Sequence, residues 1–108
     1  MQLLCPTDEL SEGCSRGFTL AGQHLVAVRR NGRAHVYRNR CPHRGTRLEW
    51  EADRFLDSTG SLLQCAHHGA LFLIESGECI QGPCLGHTLD ALPCREDPQG
   101  LWVELEAL

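Results

Sequence analysis

Residues 41–45 read CPHRG and residues 65–69 read CAHHG. Each stretch sets a cysteine and a histidine close together and follows them with a glycine. Cys41 and His43 are one residue apart, Cys65 and His68 two, and 21 residues lie between His43 and Cys65. The pattern is C-x-H, then C-x-x-H. Two thiols and two imidazoles make four donors on two loops, a set that suits a soft or borderline metal centre. His67 is a second candidate in the later stretch, where it would repeat the C-x-H of the first.

The surrounding composition narrows the setting. The chain has 108 residues, a length that fits one domain, 1–108, with the candidate loops in about residues 40–86. Hydrophobic residues make up 42% and charged residues 22%, and the formal net charge is -4. An acidic balance disfavours nucleic acid as the main partner. The opening MQLLCPTDEL has neither the basic start nor the apolar run of a secretory signal, and no stretch approaches the roughly eighteen apolar residues of a membrane span. The expectation is a cytoplasmic protein. In a reducing compartment, seven cysteines with histidines nearby read as metal binding rather than as a disulfide framework.

The strand signals predict an all-β fold, a small antiparallel sandwich or barrel with a cluster-binding subdomain. Runs at His24–Arg29 and Ala34–Arg38 flank Asn31-Gly32, a hairpin signal because both residues tolerate positive φ. Further runs are Arg54–Asp57, Ser61–Gln64, Leu71–Ile74, Thr88–Leu92 and Leu101–Leu105, separated by turn residues. One short helical turn is expected at Thr7–Ser11, capped by Thr7. The two Cys/His stretches fall between strands, where functional groups usually sit.

On these residues the chain resembles the Rieske iron–sulfur family. CPHRG and CAHHG match its two cluster-binding loops, and GPCLG at residues 82–86 resembles its third, proline-containing loop. The interval between the loops is at the long end for the family, and the extra residues are expected to lengthen the hairpin FLDSTGSLLQC. The resemblance implies one 2Fe-2S cluster, with Cys41 and Cys65 on one iron and His43 and His68 on the other. The family spacing and Gly69 favour His68 over His67. The resemblance further implies a stand-alone, ferredoxin-like electron carrier serving separate redox partners, a reductase and an acceptor such as an aromatic-ring oxygenase.

The mixed ligand set has an electronic consequence. Two ferric ions and two sulfides leave two positive charges, which two thiolates cancel, whereas four thiolates leave a dianion. A neutral centre accepts an electron more easily, and potentials of this class run from about -150 to about +300 mV against about -400 mV for plant-type ferredoxins. High-potential members carry a disulfide between the loops and hydroxyl donors to sulfur. The matching positions here are Thr46, His67, Ala70 and Phe72, none of which supplies these. The expected potential lies at the bottom of the range, with reduction coupled to protonation only at alkaline pH.

Other readings compete. Tetrahedral zinc also takes two Cys and two His, although zinc modules favour C-x2-4-C and H-x3-5-H pairs over mixed ones. A redox-sensing or regulatory subunit would use the same cluster. Gly45 and Gly69 serve as turn glycines that also let backbone N–H groups approach the sulfides. Pro42 and Pro83 stiffen or shield the loops, and Leu48, Trp50 and Leu71 belong to the core. Cys5, Cys14, Cys79, Cys84 and Cys94 receive no ligand role and are expected mostly to be small buried hydrophobes. The basic stretch VRRNGRAHVYRNRCPHRG reads mainly as a solvated hairpin face, with Arg40, Arg44 and Arg47 placed to steer an acidic partner.

Overall fold

The computed structural model describes residues 1–42, 45, 47–49, 53–66 and 69–105. Among the described residues, ten strands make three antiparallel sheets. The central sheet runs β2 (Ser15–Leu20), β3 (Gln23–Arg30), β4 (Arg33–Arg38), β8 (Ala91–Leu92). A second sheet is β1 (Gln2–Cys5), β10 (Gly100–Val103), β9 (Cys94–Asp97), and a third is β5 (Leu62–Gln64), β6 (Leu71–Leu73), β7 (Cys79–Gln81).

The continuous apolar run of β3 has a simple cause: both of its faces are covered. Alternate residues of a strand point to opposite sides. Leu25 and Ala27 join a core with Cys5, Leu10, Val36, Leu92, Leu101 and Val103, on the side of the β1-β10-β9 sheet. Val26 and Val28 join the other core with Tyr37, Leu63, Phe72 and Cys79, on the side of the β5-β6-β7 sheet. The candidate loops emerge within this second core.

The hairpin signal is realised in detail. Arg30 pairs with Arg33, and Asn31 and Gly32 take φ 54° and 76°. The Glu12 carboxylate accepts from both turn amides, Asn31 N and Gly32 N, each at 2.8 Å, and these bonds hold its pKa below the ordinary carboxylate value. The long segment between the loops does fold back on itself: Gln64 N donates to Phe55 O, Asp57 N to Leu62 O, and Gly60 turns at φ 73°.

Several expectations need correction. Arg54–Asp57 is not a strand, because its pairing is confined to a single bridge, Leu56 with Leu63. Of Thr88–Leu92 only Ala91–Leu92 is strand, Thr88 making an isolated bridge to Glu78. The helical turn is 3₁₀ at Thr7–Glu9, preceded by Pro6 in the capping position with no side-chain cap, so Thr7 is its first residue and not its cap. Strands β1, β2, β7 and β9 were not foreseen. The basic hairpin is not simply solvated: Arg29 is buried and donates to both carboxylate oxygens of Glu96, at 2.7 and 2.6 Å, and to Leu10 O at 2.6 Å. This pair ties the central sheet to β9. Leu71 is half-buried, and its neighbour Phe72 is the inward residue.

Candidate metal centre

Two loops leave the ends of short strands and return by the same local geometry. After β4 the chain reaches Cys41, and Gly45 N donates back to Cys41 O at 2.7 Å. After β5 it reaches Cys65, and Gly69 N donates back to Cys65 O at 2.8 Å. Each closure spans five residues and needs a left-handed residue at its end; Gly45 takes φ 73° and Gly69 φ 70°. The glycine amides are therefore spent on the cysteine carbonyls, which bears out both residues as turn glycines. The Arg40 side chain lies over Gly45, where a Cβ would sit 3.1 Å from its Nε.

Cys41 and Cys65 are fully buried, and both belong to the second core with Cys84, Ala70, Phe72 and Leu48. His43, His67, His68, Arg44, Thr46 and Trp50 lie outside the described residues. The two sulfur donors of the expected set are thus sequestered from water in apolar surroundings. Among the described residues no group of three or more His, Cys, Asp or Glu side chains converges.

The loops are stitched to the scaffold and to each other. Asn39, buried at the end of β4, accepts from Leu48 N at 2.8 Å through Oδ1 and donates through Nδ2 to Glu49 at 3.0 and 3.1 Å. Leu48 O in turn accepts from Ala66 N of the second loop at 2.9 Å. Cys65 N donates to Ala70 O at 2.8 Å. The third loop packs against the second through Gly82, whose φ is 104° and where a Cβ would lie 2.8 Å from Ala70 Cα. Neither Asn39 nor Gly82 was singled out from the sequence; GPCLG signalled the loop but not this contact.

Of the remaining cysteines, Cys5, Cys79 and Cys84 are buried, Cys94 is half-buried and Cys14 is exposed. Burial is also the leading cause that raises the Cys5 and Cys94 thiol pKa values. Ala70 and Phe72 are fully buried and carry no hydroxyl. On the surface beside the first loop, Arg38, Arg40, Arg47, His24 and Gly45 line one concavity. Arg40 and Arg47 are exposed there.

A β-scaffold that presents two matched cysteine–glycine loops, with a third loop packed on the second, is the frame of an iron–sulfur domain. Residues 1–95 match the model of the Rieske [2Fe-2S] domain, and the chain belongs to that family. The family's cofactor is a Rieske-type 2Fe-2S cluster, and the soft, buried thiols of Cys41 and Cys65 fit such a group. Family membership displaces the zinc reading.

The chain is 32% identical over 95 residues to "Oxidoreductase NdmD" of Pseudomonas putida, covering 81% of this chain and 15% of that protein. It is 27% identical over 81 residues to "Cholesterol 7-desaturase" of Caenorhabditis elegans, covering 74% and 18%. The chain therefore spans less than a fifth of either relative's length. Among solved structures it resembles the ferredoxin of carbazole 1,9a-dioxygenase from Nocardioides aromaticivorans, with TM-score 0.75, 20% identity, and 94% and 93% of the two chains covered. The terminal oxygenase of carbazole 1,9a-dioxygenase from Novosphingobium is similar at TM-score 0.76 and 21% identity, over 94% of this chain and 28% of that one. At this identity the likeness establishes the fold. No helix among the described residues is long and apolar enough to cross a membrane.

Proposed function

We propose that Cys41, His43, Cys65 and His68 hold the cluster, and that the protein is an electron carrier and not itself an enzyme. It would pass single electrons from a reductase to an acceptor such as an aromatic-ring oxygenase. The observation that carries this reading is the matched pair of loops, each placing one buried cysteine at the head of a five-residue closure. The bound cluster supplies a centre that accepts and returns one electron. The chain's own work is to hold two thiolates in a water-free pocket, to keep the loops in register through Asn39 and Leu48, and to present a surface to partners.

Cys41 and Cys65 would take one iron and His43 and His68 the other, with His67 a loop residue. The unit is one domain over residues 1–108, its cluster-binding portion about 40–86, in the cytoplasm. The exposed Arg40 and Arg47 favour an acidic partner face, because complementary charge speeds encounter. The names of the ferredoxin and of the oxidoreductase relative support the same role.

The test is spectroscopic. Anaerobically purified protein should be red-brown and hold two irons and two sulfides per chain, and the reduced form should give the EPR signature of histidine ligation. His68→Ala should lose the cluster and His67→Ala keep it. A titration should place the potential near the low end of the family range, about -150 mV. Colourless protein, an all-cysteine spectrum or a clearly positive potential would each refute a stated part of this reading.

A further inference from the structure

The third loop brings a third thiol to the proposed centre. Cys84 is fully buried, and its Sγ lies 3.4 Å from Cys41 Sγ. Its position is fixed by backbone contacts. Cys84 O accepts from His87 N at 2.8 Å, and His87 O accepts from Cys79 N of β7 at 2.9 Å. Gly82, two residues before, is packed on Ala70 of the second loop. Two other thiols, Cys79 and Cys94, donate to carbonyl oxygens, Gln81 O at 3.3 Å and Ala34 O at 3.5 Å. Cys84 has a sulfur within reach, Cys41 Sγ.

Either sulfur of such a pair is able to donate when both are thiols. Binding iron removes the choice. A ligating Cys41 carries no proton, so it only accepts, and the proton between the two sulfurs belongs to Cys84. A donor aimed at a ligand sulfur stabilises the form of the centre that carries more negative charge, which is the reduced form.

We propose that Cys84 is a positioning residue that donates its S–H to Cys41 Sγ and raises the reduction potential of the centre. The proposal rests on the reading that Cys41 binds iron. It supplies from the third loop a donor of the kind that Ala70 and Phe72 do not provide, and it compensates in part for their missing hydroxyls. The geometry also lets Cys84 meet Cys41 in other ways, as a further ligand or as a disulfide partner in oxidised apoprotein, and the experiment separates these.

Holoprotein is prepared anaerobically as wild type, Cys84→Ala and Cys84→Ser. Midpoint potentials are measured by mediated titration, with iron content and EPR spectra recorded in parallel. In Cys84→Ala the ratio of reduced to oxidised protein at a fixed applied potential should fall about threefold to tenfold. Tenfold corresponds to about 59 mV for a one-electron couple. Cys84→Ser keeps a donor and should recover most of the loss, while iron content and EPR line shape stay those of wild type in both variants.

Unchanged potentials with the cluster intact overturn the proposal. So does an equal drop in the Ala and Ser variants, which marks a packing effect, and so does an altered ligand signature in Cys84→Ala, which marks direct ligation. If Cys84→Ala does not fold, resonance Raman spectra of wild type in H2O and D2O decide. Exchange of the thiol proton should shift the iron–cysteine stretch, and no shift overturns the proposal. Failure of the underlying reading looks different: Cys41→Ser would retain a normal cluster, or wild type would hold none.

Discussion

The two cores on either face of the central sheet are built by different means. On the β1-β10-β9 side, most of the buried residues, including Leu25, Ala27, Val36, Leu92, Leu101 and Val103, come from paired strands, and the Arg29–Glu96 ion pair clamps the sheets together. On the β5-β6-β7 side, Cys41, Leu48, Phe55, Cys65, Ala70, Cys84 and Leu89 stand in loops, and the three local strands have only three residues each. Regular pairing orders the first half. The second half owes its order to turn glycines, loop-to-loop hydrogen bonds and, in the proposed function, to metal ligation. A bound cofactor stabilises the half that binds it by mass action.

Removing a proposed ligand should break the comparison most sharply. Cys65→Ser should lose nearly all of its iron while far-UV circular dichroism retains most of the β signal, because the strand-built core contains no ligand. Collapse of both signals together would show that the two cores form one cooperative unit. Gly82→Ala is the next largest. Its Cβ would meet the Ala70 backbone, which has no rotamer to yield, and φ 104° disfavours any side chain. We expect a local cost of about 2–3 kcal/mol, seen as faster iron release to a chelator. Gly13→Ala is the matched control, since φ is 75° there but no atom lies within 4 Å of the added Cβ; about 1 kcal/mol and no change in iron release are expected.

Glu96→Gln probes the other core and should give the smallest effect on the metal. It should lower global stability by about 1–2 kcal/mol, a figure reduced because the Glu96 side chain is 26% exposed. The Arg29 hydrogen bonds hold the Glu96 carboxyl below its ordinary value of 4.5. The folded state thus has the lower pKa, so this stabilisation is present above about 4.5 and fades as pH falls through the lowered value. Urea melts of wild type and variant should differ at pH 7 and converge in acid. Constant separation down to pH 3 would mean that the carboxylate's charge is not what stabilises the pair.

The β3–β4 hairpin was legible because Asn31 and Gly32 both accept left-handed backbone. Its neighbour β2 was not, because the turn before β3 places Ala21 at φ 51°, and alanine is no turn signal. Gly17 further disguises β2; it is needed because a Cβ there would lie 3.0 Å from the Phe55 ring. β9, with Arg95, Glu96 and Asp97, carries too much charge to read as a strand and exists through its pairing with β10. At the centre, the Cys and Gly spacings were local and readable. Asn39, Gly82 and the approach of Cys84 to Cys41 join one loop to another through side-chain and close backbone contacts that no residue spacing encodes.

The path from Asn39 through Leu48 to Ala66 fixes both cysteine loops to the same strand end. Loops sewn together in this way cannot slide past one another when the charge between them changes. In the proposed function, the energy that the site spends on rearranging its surroundings is then small, and electrons would cross to a docked acceptor at a rate governed by separation and driving force.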